Sequence, residues 1–303
     1  MKDSILSESI INEQRNALLK TYEGPDKVIS IEDKLKELEE ENKDRPHFGV
    51  KTNLPSLDYC LDGFRLGQLV VMSGPPKHGK TQMGLTFTKH FVEQGQRVLW
   101  FEFEYEEEEF LKDKMPQDIF GKIKVFTSRQ IPRKGTLDWI EKRIIESNLK
   151  YGTQLVFIDN SDFLKDPESF DPKVSINHAD YVERIFVGLK NIARTHRIII
   201  FIFHHIRKSN WHSNKLPTSE ELKDSGAPAR LCDFVIMQIR MSKKDNWGNT
   251  VYDGNKGLIG VIETRRGKVR VAEIQLDEEL RIFKELQEYS EADSIPTDYS
   301  NFV

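Results

Sequence analysis

The chain has 303 residues, a formal net charge of −4 and a charged fraction of 31%. Such a length suffices for one large α/β core with a small appendage, and the slightly acidic balance excludes bulk cationic attraction to nucleic acid, so any such contact needs a local basic patch. No apolar run approaches the roughly 20 residues that cross a bilayer, no signal-peptide core opens the chain, and Cys60 and Cys232 lie far apart within apolar patterns, as expected of buried thiols in a reducing, cytoplasmic compartment.

Residues 1–47 are predicted to form a helical N-terminal arm. This segment is rich in Glu and Lys, and Ile31, Leu35 and Leu38 recur at helical spacing before Pro46. The arm cannot build a core of its own. We expect it to pack either on its own domain or on a neighbouring subunit, and the sequence leaves both possibilities open.

Residues 48–285 are predicted to form one α/β domain, and the acidic tail 286–303 is predicted to be disordered. Within the domain, short β-branched runs alternate with helical stretches. The runs are 69–73, 97–104, 123–127, 154–159, 197–204, 233–240, 258–263 and 269–276. This alternation predicts a mostly parallel, twisted sheet that is flanked by helices.

The segment 74–81 has the pattern of a phosphate-binding loop, Gly-Pro-Pro-Lys-His-Gly-Lys-Thr, between an apolar run and a helical pattern. A strand that leads through glycines into a helix directs backbone N–H groups and a helix N-terminus at one point, where polyphosphate charge is stabilised. Lys80 would reach the β- and γ-phosphates, and Thr81 would ligate Mg²⁺. The predicted nucleotide-binding residues are Gly74, Pro75, Pro76, Lys77, His78, Gly79, Lys80, Thr81 and Gln82.

Acidic residues follow two of the predicted strands. In an open α/β sheet, ligands bind beyond the carboxyl ends of the strands. Glu104 ends the run 97–104 and is the expected carboxylate that positions the attacking water, with Glu102 one pleat earlier as the alternative. Asp159 ends the run 154–159 and is expected to hold Mg²⁺ through a water.

Two adjacent histidines, His204 and His205, follow the apolar run that begins at Ile198. A polar side chain at the end of this strand is expected to lie next to the γ-phosphate. Because neighbours on a strand point to opposite faces, the two imidazoles are not expected to chelate one metal ion.

Segments that surround the phosphate loop resemble a known ATPase family. Thr52-Asn53-Leu54-Pro55-Ser56-Leu57-Asp58 and Asp62-Gly63-Phe64-Arg65-Leu66-Gly67-Gln68-Leu69 resemble the segment that leads into RecA-type ATPase cores, specifically that of DnaB-like (superfamily 4) hexameric replicative helicases. Residues 216–227, followed by 232–236, are similar to that family's proline, acidic and Ser-Gly-Ala segment before a strand. The resemblance covers roughly residues 48–285 and implies a RecA-like P-loop NTPase fold that binds ATP and Mg²⁺.

The resemblance also implies roles for individual residues. Lys80 and Thr81 match the loop lysine and the Mg²⁺ ligand, Glu104 the catalytic glutamate, Asp159 the second acidic motif, His205 the γ-phosphate sensor, and Arg265 the arginine finger that acts in trans on the neighbouring subunit's site.

One position departs from the family pattern. The family usually has a lysine two residues before the finger, where this chain has Glu263. Arg266 and Lys268 are the candidate substitutes for that lysine.

Two loops are expected to face single-stranded DNA at the centre of a ring. Residues 160–178 are too acidic to bind phosphates well, whereas residues 206–218 offer Arg207, Lys208 and Lys215 together with Trp211. Single-strand binders combine such cations with aromatic stacking surfaces. A solvated surface loop is an equally weighted alternative for this second segment.

The predicted function is an ATP-dependent DNA helicase or translocase that works during replication as a homo-oligomeric ring, expected to be a hexamer. The expected partners are single-stranded DNA, further copies of the chain, and primase or polymerase proteins, with no membrane, in a bacterial or virus-infected host cytoplasm. Only about 46 residues precede the core, so the arm is expected to act as a docking helix. The alternatives are a RecA- or KaiC-like DNA-binding or regulatory ATPase without unwinding activity, and a non-hydrolysing assembly module, against which Glu104 and Asp159 argue.

Overall fold

The structure is a computed structural model that describes residues 10, 12–13, 15–17, 28–42, 49–116, 125–127, 136–164, 178–207, 214–223, 226–264 and 269–286. The chain divides into two compact units, Met1–His47 and Phe48–Val303. Within the described ranges, no helix combines the length and the apolar character that a membrane span requires.

The first unit contains helix α1, Ile31–Asn42. The hydroxyl of Ser30 accepts a hydrogen bond from the backbone N–H of Asp33 at 3.0 Å, which satisfies one of the free donors of the first helical turn. Helix α1 and the helical residues 10, 12–13 and 15–17 lie within the predicted arm, and the arm's remaining residues up to 27, together with 43–48, lie outside the described part of the chain.

The second unit is built around a nine-stranded sheet with the order β3-β2-β4-β5-β1-β6-β7-β8-β9. The first six strands in this order, β3, β2, β4, β5, β1 and β6, are parallel. Strands β7, β8 and β9 extend the sheet in antiparallel pairs. Their bounds are β1 Leu69–Gly74, β2 Val98–Glu102, β3 Val125–Thr127, β4 Leu155–Asp159, β5 Ile199–His205, β6 Phe234–Lys244, β7 Thr250–Thr264, β8 Arg270–Asp277 and β9 Ile282–Glu285. The predicted fold, a mostly parallel sheet flanked by helices, is confirmed.

Helices cover both faces of this sheet, and two apolar clusters fill the space between them and the strands. The helices are α2 Pro55–Leu61, α3 Lys80–Glu93, α4 Glu107–Glu109, α5 Leu137–Tyr151, α6 His178–Thr195 and α7 Ala227–Leu231, and α4 continues as a π-helical turn, Phe110–Lys114. Side chains of α2 and α3 enter the first cluster, and those of α5 and α6 enter the second. Cys60 and Cys232 are buried and are not joined in a disulfide, as predicted.

An aromatic ladder fixes the position of α3 on the sheet. Trp100, Phe157 and Phe201 lie side by side on β2, β4 and β5, with ring centroids 4.6 and 4.5 Å apart and nearly parallel planes. Gly84 of α3 packs on this layer so closely that a Cβ atom there would lie 2.5 Å from the ring of Phe203. The helix that follows the phosphate loop therefore has little freedom to shift relative to the strand ends.

The carboxyl ends of the parallel strands bring polar residues to the α3 face of the sheet. Glu102 lies opposite Asp159 in the β2–β4 ladder, and Gly74 lies opposite His205 in the β1–β5 ladder. Glu102 and Asp159 are each two residues beyond a member of the aromatic ladder and so share its face. Glu102, Asp159 and His205 thus lie at the carboxyl end of the parallel strands, beside the N-terminus of α3.

Strand β2 ends two residues earlier than predicted. The expected strand ran to Glu104, but β2 stops at Glu102 and Glu104 lies in the following loop. The cause is local, because the carboxylate of Glu102 accepts hydrogen bonds from the backbone N–H groups of Glu104 and Tyr105, which turns the chain away from the ladder.

Candidate functional site

The phosphate loop connects β1 to α3. Strand β1 ends at Gly74, whose φ of +147° lies outside the range of ordinary residues and whose added Cβ would lie 2.1 Å from the carbonyl oxygen of Gln238. Gly79 precedes the first helical residue, Lys80. The Nζ of Lys80 donates to the carbonyl oxygens of Gly74 and Pro75 at 3.1 and 2.9 Å. The loop therefore holds an ammonium group and a helix N-terminus together, which suits a polyphosphate.

The residues next to this loop fit a magnesium ion. The Thr81 hydroxyl donates to Oδ2 of Asp159 at 2.6 Å, and Asp159 is 2% exposed. Hydroxyl and carboxylate oxygens are ligands that Mg²⁺ prefers, with phosphate oxygens and waters completing its shell. Within the described residues, no group of three or more His, Cys, Asp or Glu side chains could hold a metal ion. The donor set therefore suits a cation that arrives with a nucleotide.

Burial changes the proton affinity of the charged groups at this site. Burial lowers the pKa of Lys80 to about 8, although the negative charges of Asp159 and Glu104 oppose the shift. Burial also raises the pKa of Asp159 to about 7, against the effect of the Thr81 hydrogen bond. A divalent cation beside Asp159 would favour its ionised form and thus return this pKa toward its ordinary value.

Glu104 is exposed in the loop after β2. Its side chain is hydrogen-bonded to Asn160, the residue that follows β4. Its Oε2 accepts a hydrogen bond from Nδ2 of Asn160 at 3.1 Å. The backbone of the preceding residue is also held, since the N–H of Phe103 donates to the carbonyl oxygen of Asp159 at 2.9 Å. Asn160 was not among the predicted site residues, although its place directly after Asp159 was a usable signal.

Glu102, the alternative catalytic carboxylate, is buried rather than exposed, at 4%. Its Oε1 accepts the N–H groups of Glu104 and Tyr105 at 2.8 and 3.0 Å, whereas its Oε2 has no hydrogen-bond partner among the described residues. Burial, followed by the negative charge of Asp159, raises the pKa of Glu102 to about 8. A buried, proton-retaining carboxyl is poorly suited to contact an attacking water, so the geometry favours Glu104 for that role.

The two histidines at the end of β5 face opposite sides of the sheet. Burial lowers the pKa of His205, and the positive charge of Lys80 adds to the shift, so this imidazole is neutral near pH 7. His204 is buried on the other face, where its Nε2 donates to the carbonyl oxygen of Lys223 and its Nδ1 accepts from the hydroxyl of Ser161. His204 is thus a structural residue. His205 lies opposite Gly74, the first residue of the phosphate loop.

The side chain of His78 connects the phosphate loop to the β6–β7 hairpin. Its Nδ1 accepts the backbone N–H of Arg240 at 2.9 Å, and its Nε2 lies 3.4 Å from the hydroxyl of Tyr252. The carbonyl oxygen of His78 accepts from Nε2 of Gln238 at 3.1 Å. The guanidinium of Arg240 stacks on the Tyr252 ring at 4.0 Å. These contacts, which the sequence did not suggest, make His78 a link between two elements in addition to its predicted place among the nucleotide-binding residues.

Gln82, also predicted to bind nucleotide, directs its amide elsewhere. Its Nε2 donates to the carbonyl oxygens of Arg281 and Lys114, so the side chain joins α3 to the turn before β9 and to the π-helical turn. Its predicted contact with nucleotide has no support from this geometry.

The predicted DNA-binding and in-trans residues lie only partly within the described chain. Arg265, Arg266, Lys268, Lys208 and Trp211 lie outside it. Arg207 is exposed, and its Nε donates to the carbonyl oxygen of Leu222 at 3.1 Å; Lys215 is exposed as well. The Oε1 of Glu263 accepts from the hydroxyl of Ser219 at 2.6 Å. The side chain that replaces the family's lysine is therefore bound to a turn of its own chain.

Comparisons with known proteins agree with this architecture. Residues 49–130 match the family model of the DnaB-like helicase C terminal domain. The chain is 22% identical over 233 residues to the replicative DNA helicase DnaB of Mycoplasma pneumoniae, a match that covers 65% of this chain and 48% of that protein. The chain thus spans about half the length of this curated relative.

Two solved structures have a similar fold. One is an ATPase domain, which superposes with a TM-score of 0.63 at 18% identity, covering 86% of this chain and 100% of that one. The other is a DnaB-like replicative helicase, solved in a study of its interactions with primase, which superposes with a TM-score of 0.62 at 16% identity, covering 93% of this chain and 73% of that one. These matches confirm the predicted resemblance: the chain carries a RecA-type fold similar to the ATPase core of DnaB-like helicases.

Proposed function

We propose that this chain is a Mg²⁺-dependent ATPase that drives movement on single-stranded DNA, as a helicase or translocase in replication. The observation that carries the proposal is the convergence of Lys80, Thr81, Asp159 and Glu104 at the carboxyl end of the parallel strands, with Thr81 and Asp159 joined at 2.6 Å. In this proposal, the set supplies the phosphate-binding cation, the metal ligands and the water-positioning carboxylate that hydrolysis of a nucleoside triphosphate requires.

Each side chain has a distinct part in the proposed reaction. The ammonium of Lys80 binds the β- and γ-phosphate oxygens, in place of the loop carbonyls to which it now donates. Thr81, and Asp159 through a water, would hold Mg²⁺, which would neutralise phosphate charge. Glu104, oriented by Asn160, accepts a hydrogen bond from the attacking water and directs it onto the γ-phosphorus. Neutral His205 can donate a hydrogen bond to the γ-phosphate. Binding or loss of this phosphate would then change the position of His205 and of the segment that follows β5.

We further propose that the active site is completed by a neighbouring copy in a ring of six subunits. Arg265 of one subunit would stabilise the transition-state charge in the next subunit's site. Arg207, Lys208 and Lys215 would contact single-stranded DNA at the centre. The solved relative studied with primase supports primase as a candidate partner, a polymerase protein is a second, and the cytoplasm is the proposed location.

A subunit-mixing experiment tests the shared site. Lys80→Ala and Arg265→Ala chains are each expected to be inactive, because each lacks one half of every site. Co-assembled rings contain some interfaces with both wild-type halves, so ATPase activity should return. Mixtures that regain no activity, although native mass spectrometry shows mixed rings, would contradict the in-trans assignment.

A second candidate is a RecA- or KaiC-like ATPase that binds DNA or protein without unwinding. The bond of Glu263 to Ser219 of its own chain favours this alternative, because an acid bound within its own chain stands where the family has a lysine. Strand displacement on a forked duplex discriminates between the two. ATP hydrolysis that is stimulated by single strands but separates no duplex would favour the second candidate.

A further inference from the structure

Glu102 is an acidic residue whose carboxyl group is almost fully buried beside the proposed active site. It is 4% exposed, it ends β2, and it lies opposite Asp159 in the ladder. Neither the phosphate loop nor Mg²⁺ requires it in the mechanism above. A buried carboxyl group costs stability unless its contacts offset the loss of solvent, so its contacts indicate what it does.

The contacts of Glu102 are with the backbone that carries Glu104. Its Oε1 accepts the N–H of Glu104 at 2.8 Å and the N–H of Tyr105 at 3.0 Å. The N–H of Phe103 is held separately by the carbonyl oxygen of Asp159 at 2.9 Å. Three consecutive backbone donors are therefore fixed, two of them by one side-chain oxygen.

The segment that is held in this way lies in a loop. The ring of Phe103 packs near that of Trp139, with centroids 6.4 Å apart. The ammonium of Lys114 lies over the ring of Tyr105 at 4.7 Å. The backbone of Glu104 between these two rings is held by Glu102. Glu104 and Glu106 are exposed, and β2 has already ended. The side chain of Glu104 itself makes one described hydrogen bond, to Asn160. Without Glu102, the turn would lose both of its side-chain-to-backbone hydrogen bonds, and the Glu104 carboxylate would sample a wider range of positions.

We propose that Glu102 is a positioning residue for the reaction: its Oε1 fixes the turn that presents Glu104 to the attacking water. The inference rests on the proposed hydrolytic function. It differs from a role in metal binding or charge, because it requires an acceptor oxygen at the correct distance from two amides and does not require a negative charge.

Two conservative variants separate these roles. Glu102→Gln keeps the acceptor oxygen in place and removes the charge, whereas Glu102→Asp keeps the charge and withdraws the acceptor by one methylene. We expect Glu102→Gln to keep kcat for ATP within about threefold of wild type, and Glu102→Asp and Glu102→Ala to lower kcat by about 10- to 100-fold, the effect of misplacing a reacting group by about 1 Å. KM for ATP and the Kd of a fluorescent ATP analogue should change less than about twofold, because the phosphate-binding residues are untouched.

Backbone amide exchange supplies a readout that does not depend on activity. The amides of Glu104 and Tyr105 should exchange at least about tenfold faster in Glu102→Ala and Glu102→Asp than in wild type and Glu102→Gln, because their acceptor is lost or displaced. Glu106→Ala is the matched control, since this exposed acid lies in the same loop and its side chain makes no capping hydrogen bond to α4. It should leave both exchange and kcat unchanged.

Several results would overturn the inference. An active Glu102→Asp with an inactive Glu102→Gln would show that charge matters, and unchanged exchange in Glu102→Ala would show that the turn does not depend on this side chain. A large rise in the nucleotide Kd of Glu102→Ala would show a merely structural defect. A wild-type chain that binds but does not hydrolyse ATP would contradict the proposed function instead, and amide exchange would still report on the turn.

Discussion

Two carboxyl groups and one ammonium group are buried together where the strands end. Glu102 and Asp159 are 4% and 2% exposed, and Lys80 is 8% exposed. Burial raises the pKa of both acids and lowers that of the lysine. Every shift favours the uncharged form, so these residues are held at the site at a cost in stability that bound Mg²⁺ and phosphate would reduce.

The pH dependence of stability should reveal this cost for Glu102. Its pKa is raised from 4.5 to about 8, so the folded chain retains a proton that the unfolded chain releases between these values. Its contribution to stability is therefore present below pH 4.5 and is lost as the pH rises through 8. Relative to wild type, Glu102→Gln should gain on the order of 1–3 kcal/mol in free energy of unfolding between pH 5 and pH 8.

Urea denaturation of both chains without nucleotide at pH 5 and pH 8 provides the measurement. A difference between the two chains that is the same at both pH values would show that Glu102 does not keep its proton in the folded state.

At the scale of elements, the strands and helices next to the loop were predictable because each carries a strong local pattern. The apolar runs of β1, β4 and β5 are buried on both faces, as their uninterrupted hydrophobicity indicates. The exposed first half of β7, residues 250–256, has no apolar run, and β9 has only four residues. These segments form strands because the backbone N–H and C=O groups of β6 and β8 are available to pair with them. A local sequence pattern does not encode such pairing.

The link between the phosphate loop and the β6–β7 hairpin should affect nucleotide binding. His78→Ala removes the acceptor for the Arg240 N–H and loosens the loop, so we expect the Kd for ATP to rise about 5- to 30-fold, equivalent to about 1–2 kcal/mol. Tyr252→Phe is the control, because it removes only the long contact of 3.4 Å and keeps the ring under Arg240. Equal affinities in wild type and His78→Ala would show that the hairpin does not support the loop.

A buried ion pair joins α6 to the start of β1 and to Asp233, the residue before β6. Lys190 donates to Oδ2 of Asp233, and the same oxygen accepts the N–H of Leu69 at 2.8 Å. Lys190→Met leaves a buried carboxylate without its cation and should lower the free energy of unfolding by about 3–5 kcal/mol. Arg230→Met is the control, because it breaks the exposed ion pair with Glu183. It should lower the free energy of unfolding by less than about 1 kcal/mol.

Thermal and urea denaturation of both variants give these values. Similar losses in the two variants would mean that the pair of Lys190 and Asp233 does not act as a buried ion pair.

At the scale of the whole molecule, the sequence indicated that acidic residues lie near the phosphate loop but not the contacts that hold them there. Glu104 and Asp159 were predicted from their places after strands, and the structure brings both to the phosphate loop. The bonds of Glu102 to the turn, of Asn160 to Glu104 and of His78 to the hairpin depend on contacts between segments that are distant in sequence or on side-chain direction. A sequence pattern does not specify such contacts, and Arg265 stays a prediction because it lies outside the described residues.

The central claim is that this chain hydrolyses ATP with Glu104 as the residue that positions water. The most direct measurement is ATP turnover with Mg²⁺ and single-stranded DNA by wild type and Glu104→Gln, alongside nucleotide binding by both. We expect turnover by wild type and a loss of at least about 100-fold in Glu104→Gln with ATP binding retained. Wild-type turnover in Glu104→Gln, or a wild-type chain that binds ATP without hydrolysing it, would contradict this claim.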